Sequence, residues 1–134
     1  MGAATSARAL SVQVTTVQAS QDGPSDAQLA PFRPRLRRLV GYRAFRVLHE
    51  ENRPCAWRSV EEFTIPGGRL LNVRPKGMRD ETVMMQVQIL DGRRTLVDTD
   101  VRLQNRGVML FGVDRDADPA PATGALIIML RAEE

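Results

Sequence analysis

Alternation of apolar and polar side chains runs through most of this chain and predicts β-strands. Over residues 10–19 the apolar positions begin with Leu10, Val12 and Val14, and the residues between them are polar. A period of two places these side chains on one face, which is typical of a half-buried strand. Residues 82–90 show the same pattern more clearly, with an apolar residue at every second position.

We expect the strand over residues 82–90 to lie at the centre of an apolar core. Asp91-Gly92 ends it with a strong hairpin signal, and residues 95–103 return with the same alternation. The core face is expected to consist of Val83, Met85, Val87 and Ile89, packed against Leu71, Val73, Val101 and Leu103.

One segment changes period and predicts a helix. Its apolar residues recur every three or four positions: Leu29, Phe32, Leu36, Leu39 and Val40. A proline inside a helix removes a hydrogen bond and clashes with the preceding turn. Because of Pro31 and Pro34, we expect a short turn over residues 26–31 and then a helix that runs to about residue 40. Ser25 or Asp26 is expected to cap its start, and Gly41 to end it in the left-handed conformation.

Glycine, proline and polar clusters divide the remaining sequence into strands and turns. Turns or loops are predicted at residues 50–54, 66–68, 75–80, 91–92, 105–107 and 114–123. The other predicted strands cover residues 42–49, 56–65, 69–74, 108–113 and 125–130. The last of these is apolar on both faces, so it should lie inside a sheet and not at its edge.

Together these patterns predict one mostly β (α+β) domain over residues 10–134. About eight short strands are typical of an antiparallel sandwich or an open barrel, here with one short helix near residues 32–40. The chain has 134 residues, 43% of them apolar and 26% charged, which is enough to bury a core. This composition argues against disorder, a collagen-like repeat and a disulfide scaffold, and no apolar run is long enough to span a bilayer.

Residues 1–9 are small and poorly periodic, and they precede the first predicted strand. Ala7-Arg8-Ala9 has the pattern that ends a signal peptide, although the basic start and the apolar core of such a peptide are missing. The segment is therefore either the end of a signal sequence or a flexible tail. The compartment stays open, with the periplasm or cell envelope favoured over the cytoplasm.

The basic residues are almost all arginine, and many of them cluster. Of the 19 basic residues only Lys76 is a lysine, and the net charge is +3. Residues 33–46 contain no acidic residue and six arginines, which are Arg33, Arg35, Arg37, Arg38, Arg43 and Arg46. Guanidinium groups bind carboxylates and phosphates, so the cluster is either a surface for an acidic protein or a polyanion, or a product of arginine-rich composition. A protein partner would also need apolar contacts at the centre of the cluster, for which Phe45 and Leu39 are candidates.

No arrangement of residues predicts a catalytic site. His49 and Cys55 are six residues apart across a predicted turn, but no acidic residue is placed to orient the imidazole and no glycine-rich oxyanion loop adjoins the thiol. Asp98 and Asp100 share one face of a strand, as paired catalytic carboxylates would, yet we expect that face to point to water. The sequence therefore predicts a protein that is not an enzyme.

Neither a metal nor a cofactor is expected. Asp114, Asp116 and Asp118 alternate as the first three ligands of a calcium loop do, but Pro119 stands where that loop needs glycine and Ala125 where it needs glutamate. The Gly-Gly pair at residues 67–68 lacks the lysine and the following helix of a phosphate-binding loop, so it is interpreted as a hairpin turn.

Residues 96–112 resemble a β-hairpin of the secretins. Leu96-Val97-Asp98-Thr99-Asp100-Val101-Arg102-Leu103 is followed by Gln104-Asn105-Arg106-Gly107 and then by Val108-Met109-Leu110-Phe111-Gly112. The secretin pattern has a strand with threonines and an apolar-Arg-apolar step, a glycine turn, an apolar strand and a Gly-Gly pair, of which this chain keeps Gly112. Small bacterial envelope β-sandwich proteins are similar in the same segment. The resemblance implies a β-rich accessory part of an envelope assembly and no catalytic residue.

Two functions are therefore expected from the sequence. The first is a non-enzymatic structural or interaction subunit of a bacterial envelope or another macromolecular assembly, with a protein partner or self-association. The alternative is a module that binds nucleic acid or another polyanion through the arginine cluster. Because an apolar final strand needs a covering neighbour, a homo-oligomer or a strand-sharing contact through residues 10–17 is also expected.

Overall fold

The computed structural model describes residues 9–113 and 125–134, and its regular elements are almost all β-strands. The strands are β1 (Ala9–Ser20), β2 (Ala44–Ala56), β3 (Glu61–Ile65), β4 (Arg69–Arg79), β5 (Thr82–Asp91), β6 (Arg94–Gln104), β7 (Val108–Gly112) and β8 (Ala125–Glu133). Between β1 and β2 the chain forms a 3₁₀ turn, Ala27–Phe32, and the helix α1, Arg33–Val40. The predicted mostly β class with one short helix is confirmed.

The strands form two antiparallel four-stranded sheets. The order is β2-β1-β8-β7 in one sheet and β3-β4-β5-β6 in the other, and neither closes into a barrel over the described residues. The fold is therefore a sandwich. By their contacts the described residues group into two compact units, one made of 9–14, 51–109 and 130–134 and the other of 15–50, 110–113 and 125–129.

Apolar cross-strand pairs fill one face of the β3-β4-β5-β6 sheet. Successive strand residues point to opposite faces, so the alternating positions of β5 share one face with their neighbours on β4 and β6. The paired positions are Leu71 with Ile89, Val73 with Val87, Val83 with Leu103, and Met85 with Val101. All eight of these side chains are buried, which confirms the predicted core face.

β4 continues to Arg79, so the predicted turn over residues 75–80 is wrong. The register shifts between Pro75 and Gly77, and this irregularity accommodates the proline within the strand pair. The buried Pro75 also accepts a hydrogen bond from the backbone of Arg58, with an N···O distance of 2.7 Å. The chain reverses at the end of the predicted turn, at Asp80 and Glu81, whose φ angles are 50° and 65°. Positive φ at both central residues is the geometry of a tight hairpin turn.

β2 is one continuous strand from Ala44 to Ala56, so the predicted turn over residues 50–54 is also wrong. Polar side chains that suggested a turn instead bind β1: the Ser11 hydroxyl donates to Asn52 at 3.0 Å, and the Thr15 hydroxyl to Glu50 at 3.1 Å. β2 is the outer strand of its sheet, where a proline is tolerated because a ladder hydrogen bond is not needed on both sides.

The Arg53 guanidinium links β2 to β3. It forms ion pairs with Glu51 at 2.7 Å and Glu61 at 2.8 Å, and it donates to the backbone carbonyl of Glu62. The same group lies 4.2 Å from the centre of the Phe63 ring. The Glu61 carboxylate, the Glu62 carbonyl and the Phe63 ring of β3 therefore hold the Arg53 cation of β2, which forms a structural contact between two outer strands.

β1 is covered more completely than its alternation predicted. Thr15, Thr16 and Val17 are all buried, and because neighbouring residues point to opposite faces, both faces of the strand are covered there. β1 pairs with β2 on one side and β8 on the other. The expected homo-oligomer or strand-sharing contact through residues 10–17 stays a prediction. β8 lies between β1 and β7, which confirms its interior position.

The segment that resembles a secretin hairpin does not form a hairpin. β6 belongs to the sheet of β5 and β7 to the sheet of β8, so the turn at residues 105–107 carries the chain from one sheet to the other. At Gly107 a Cβ atom would lie 2.9 Å from the carbonyl oxygen of Gln104, which explains the glycine. The pairing implied by the resemblance is wrong, while the family relationship itself stays a prediction.

We predict that shortening Ile89 weakens the whole fold. Ile89 is fully buried opposite Leu71, so Ile89→Ala leaves a cavity and should lower the free energy of unfolding by about 1–4 kcal/mol. Chemical denaturation measures this loss. The control is Gln88→Ala on the opposite face of β5, which should change stability by less than about 1 kcal/mol. Equal losses in both variants would show that the wrong face has been assigned to the core.

Candidate functional site

Six exposed arginines on and after α1 form a strongly positive surface. We call this set the arginine surface: Arg33, Arg35, Arg37, Arg38, Arg43 and Arg46. The first four lie on α1, Arg43 precedes β2, and Arg46 lies on β2. The structure thus places every arginine of the predicted cluster in solvent.

The local sequence explains why a helix carries four of these arginines. Pro34 lies in the first turn of α1, where its missing N–H is not needed. Gly41 follows in the left-handed conformation, with φ of 73°, and its N–H donates to the carbonyl of Arg37 at 2.8 Å. Leu29 and Leu36 are buried and anchor the 3₁₀ turn and the helix. The predicted extent and C-terminal cap of α1 are confirmed.

The predicted helix cap at Ser25 or Asp26 is wrong, because both residues bind β2. The Ser25 hydroxyl accepts from the Phe45 N–H at 3.0 Å, and the Asp26 carboxylate accepts from the Val47 N–H at 2.6 Å. The backbone N–H of Asp26 in turn donates to the Phe45 carbonyl at 2.9 Å. Backbone groups of Phe45 and Val47 lie on the outer edge of β2, so this segment stands in for a neighbouring strand.

The arginine surface has few internal counter-charges. No acidic residue occurs between Arg33 and Arg46. Arg38 donates from Nε to the carbonyl of Pro34 at 3.3 Å. Within the part of the chain that the structure describes, Arg33, Arg37, Arg43 and Arg46 form no ion pair. Unneutralised guanidinium groups attract anions from solution, and exposed ones do so at little desolvation cost.

Two open recesses lie beside α1, and four of the six arginines line them, two in each. Arg37 and Arg43 line the first, with Gly41 and Tyr42, around a volume of about 410 Å³. Arg35 and Arg38 line the second, with Leu39 and Leu110 of β7, around about 520 Å³. The first offers charge beside a phenol ring, and the second offers charge beside aliphatic carbon.

The apolar neighbours of the arginines differ in part from those expected. Leu39 is half-buried and lines the second recess, in agreement with the prediction. Phe45 is fully buried and therefore cannot contact a partner, because its ring belongs to the core. Sequence reasoning missed Leu110, which is far from α1 along the chain and has no local pattern that would connect the two.

His49 and Cys55 do not form a catalytic pair. Both lie on the continuous strand β2, so the turn that would have brought them together is absent. Cys55 is buried, and its thiol donates to the backbone carbonyl of Arg53 at 3.8 Å. Burial, together with the nearby Glu61 carboxylate, raises the pKa of the Cys55 thiol to about 11, although Arg53 opposes the shift. A thiol that keeps its proton is a poor nucleophile.

The other candidate carboxylates either bind neighbouring side chains or lie outside the residues that the structure describes. Asp98 and Asp100 are exposed, as expected: Asp98 accepts from Gln86 and Gln88, and Asp100 pairs with Lys76 at 2.8 Å. Residues 114–119 of the calcium-like pattern lie outside the described residues, and so do residues 1–8. Among residues 9–113 and 125–134, no three histidine, cysteine or acidic side chains are grouped closely enough to hold a metal ion.

Comparisons with known proteins identify no relative. No protein-family model, no curated protein and no solved structure matches this chain. None of the helices in the described segments is long and apolar enough to cross a membrane. The function must therefore be inferred from the residues themselves.

We predict that Asp26 holds the segment before α1 against β2. Asp26→Ala leaves the Val47 N–H without its acceptor and should lower the free energy of unfolding by about 1–3 kcal/mol. Amide hydrogen exchange at Val47, followed by NMR, should accelerate at the same time. Asp26→Asn keeps an oxygen acceptor and should lose less, while Asp22→Ala, at an exposed residue nearby, should match the wild type. Unchanged exchange at Val47 in Asp26→Ala would contradict the assignment.

We predict that Cys55 makes the fold sensitive to alkaline pH. Its folded pKa of about 11 exceeds the ordinary value of 9.0, so the folded state holds the proton longer than the unfolded state does. The stabilising contribution is complete below about pH 9 and is lost as the pH rises toward about 11. Denaturation curves across this range should show wild type losing stability relative to Cys55→Ala. Parallel curves for the two proteins would contradict this prediction.

Proposed function

We propose that this protein is a non-enzymatic interaction subunit that binds an acidic partner protein through the arginine surface. The observation that carries this proposal is the concentration of six exposed guanidinium groups on one short, anchored helix and the strand after it. Five of them, Arg33, Arg37, Arg38, Arg43 and Arg46, have no ion-pair partner among the described residues, so a partner's carboxylates would meet unneutralised charge.

Apolar contacts beside the arginines favour a protein over a simple anion. Leu39 and Leu110 line one recess, and Leu48, which is 40% exposed, shares its face of β2 with Arg46. Protein interfaces combine apolar contacts with arginines that bridge carboxylates. A bacterial envelope assembly, to which the secretin-like segment points, is the setting we propose for this partner, and a second copy of the chain is one form it can take.

Binding of nucleic acid or another polyanion is the second candidate. It is favoured by the recess of Arg37, Tyr42 and Arg43, where two guanidinium groups lie beside an aromatic ring. Such a combination suits a phosphate and a stacked base. Tyr42 is the only aromatic residue among the described residues that line the two recesses. Because base stacking usually uses several aromatic rings, we rank polyanion binding second.

We predict that an acidic polypeptide binds the wild-type chain at low salt and that reversing two arginines abolishes this binding. The probe is fluorescently labelled polyglutamate, titrated in parallel with single-stranded and double-stranded oligonucleotides. Arg37→Glu with Arg38→Glu changes the local charge by four units, and both side chains are exposed, so the melting temperature should change little. The control double variant is Arg79→Glu with Arg102→Glu, which changes the same charge away from α1.

The relative affinities of the two probes at matched salt separate the two candidates. Nucleic acid should show a log–log slope of about −0.7 to −0.9 per phosphate contacted, because condensed counterions are released. Polyglutamate binding that is lost in the α1 variant and retained in the control supports the proposal. Tighter binding of oligonucleotides than of polyglutamate at matched salt would favour the second candidate, and no binding of either probe at micromolar protein would refute both.

A further inference from the structure

We propose that the recess between α1 and β7 selects acidic segments that carry an aliphatic side chain between carboxylates. This recess is formed by Arg35, Arg38, Leu39 and Leu110. The inference rests on the proposed function and makes it more specific: the arginine surface as a whole attracts acidic chains, and this recess decides which of them bind tightly.

The charged half of the recess is suited to carboxylates. Arg38 uses Nε to donate to the carbonyl of Pro34 at 3.3 Å, and its side chain is exposed to solvent. A guanidinium edge matches the two oxygens of a carboxylate and forms short, charge-assisted hydrogen bonds. Arg35, three residues earlier on α1, lines the same recess and adds a second positive charge to it.

The apolar half of the recess distinguishes this site from a general anion site. Leu39 and Leu110 are both half-buried, so each still presents aliphatic carbon to solvent. A leucine-like side chain placed between them would remove apolar surface of both partners from water, which a phosphate or a chain of glutamates cannot do. Among the described residues that line this recess there is no aromatic ring, so it offers no platform for a nucleic-acid base.

The recess on the other side of α1 serves as an internal comparison. Arg37 and Arg43 line it beside Tyr42 and Gly41, and no aliphatic side chain is among its described lining residues. It attracts the same acidic segment by charge and does not distinguish a leucine from a serine in that segment. Selectivity for an aliphatic residue is therefore a specific property of the Leu39–Leu110 side.

Two peptides of equal length and charge test the inference on the full chain. Both are rich in glutamate, and they differ only at the central position, which is leucine in one and serine in the other. Fluorescence anisotropy should show the leucine peptide binding about tenfold more tightly, the ratio expected when part of an aliphatic side chain leaves water. The leucine preference should persist at moderate salt, where charge attraction is weakened for both peptides.

Matched variants locate the effect. Leu39→Gln should reduce the preference for the leucine peptide to about twofold or less, whereas Val60→Gln, at an exposed apolar residue outside the recess and the arginine surface, should retain it. Arg38→Gln should weaken both peptides more than Arg46→Gln does, because Arg46 does not line the recess. Thermal melting of each variant establishes that it is folded.

The outcomes separate this inference from the proposed function. Equal binding of the two peptides to the wild type would overturn the inference while leaving an electrostatic acidic partner in place. A leucine preference that survives Leu39→Gln would place the apolar contact elsewhere on the protein and would also overturn the inference. Failure of both peptides to bind at low salt would overturn the inference and the proposed function together.

Discussion

The hydrogen bonds along the outer edge of β2 are the constraint on which the candidate site depends. An outer strand exposes backbone groups on one side, and here Ser25 and Asp26 satisfy those of Phe45 and Val47. The same bonds tie down the start of the segment that leads into α1, and the buried Leu29 and Leu36 hold the rest of it. A loop that completes a sheet edge thereby becomes a rigid support for charged side chains.

Much of the positive charge on this support has no ion-pair partner among the described residues. Arg37 and Arg38 lie in the last turn of α1, where cations are favoured by the helix dipole, but Arg33 lies in the first turn, where they are disfavoured, and no acidic residue is there to compensate. Crowded guanidinium groups also repel one another. An anionic partner would reduce both unfavourable interactions. Binding such a partner would therefore stabilise the folded state.

Several local features could be predicted because their physical causes are local. Apolar residues recur at every second position in the strands and at every third or fourth position in α1, which distinguishes the helix. Pro34 and Gly41 mark its two ends. The two wrong turns share one cause. Proline and polar residues at 50–54 and 75–80 are typical of turns. The first segment instead lies on an outer strand, and a register shift accommodates the proline of the second.

The sequence by itself determined the β-rich class, the position of the helix and the concentration of arginine in residues 33–46, because periodicity, caps and charge depend on neighbours along the chain. Only the tertiary structure decided that Ser25 and Asp26 bind β2, that β6 and β7 enter different sheets, and that Leu110 and Leu39 line one recess. Each of these features depends on how segments distant in sequence are arranged. Which strand edge or apolar side chain finds which partner depends on how the whole core packs, and no local pattern records that choice.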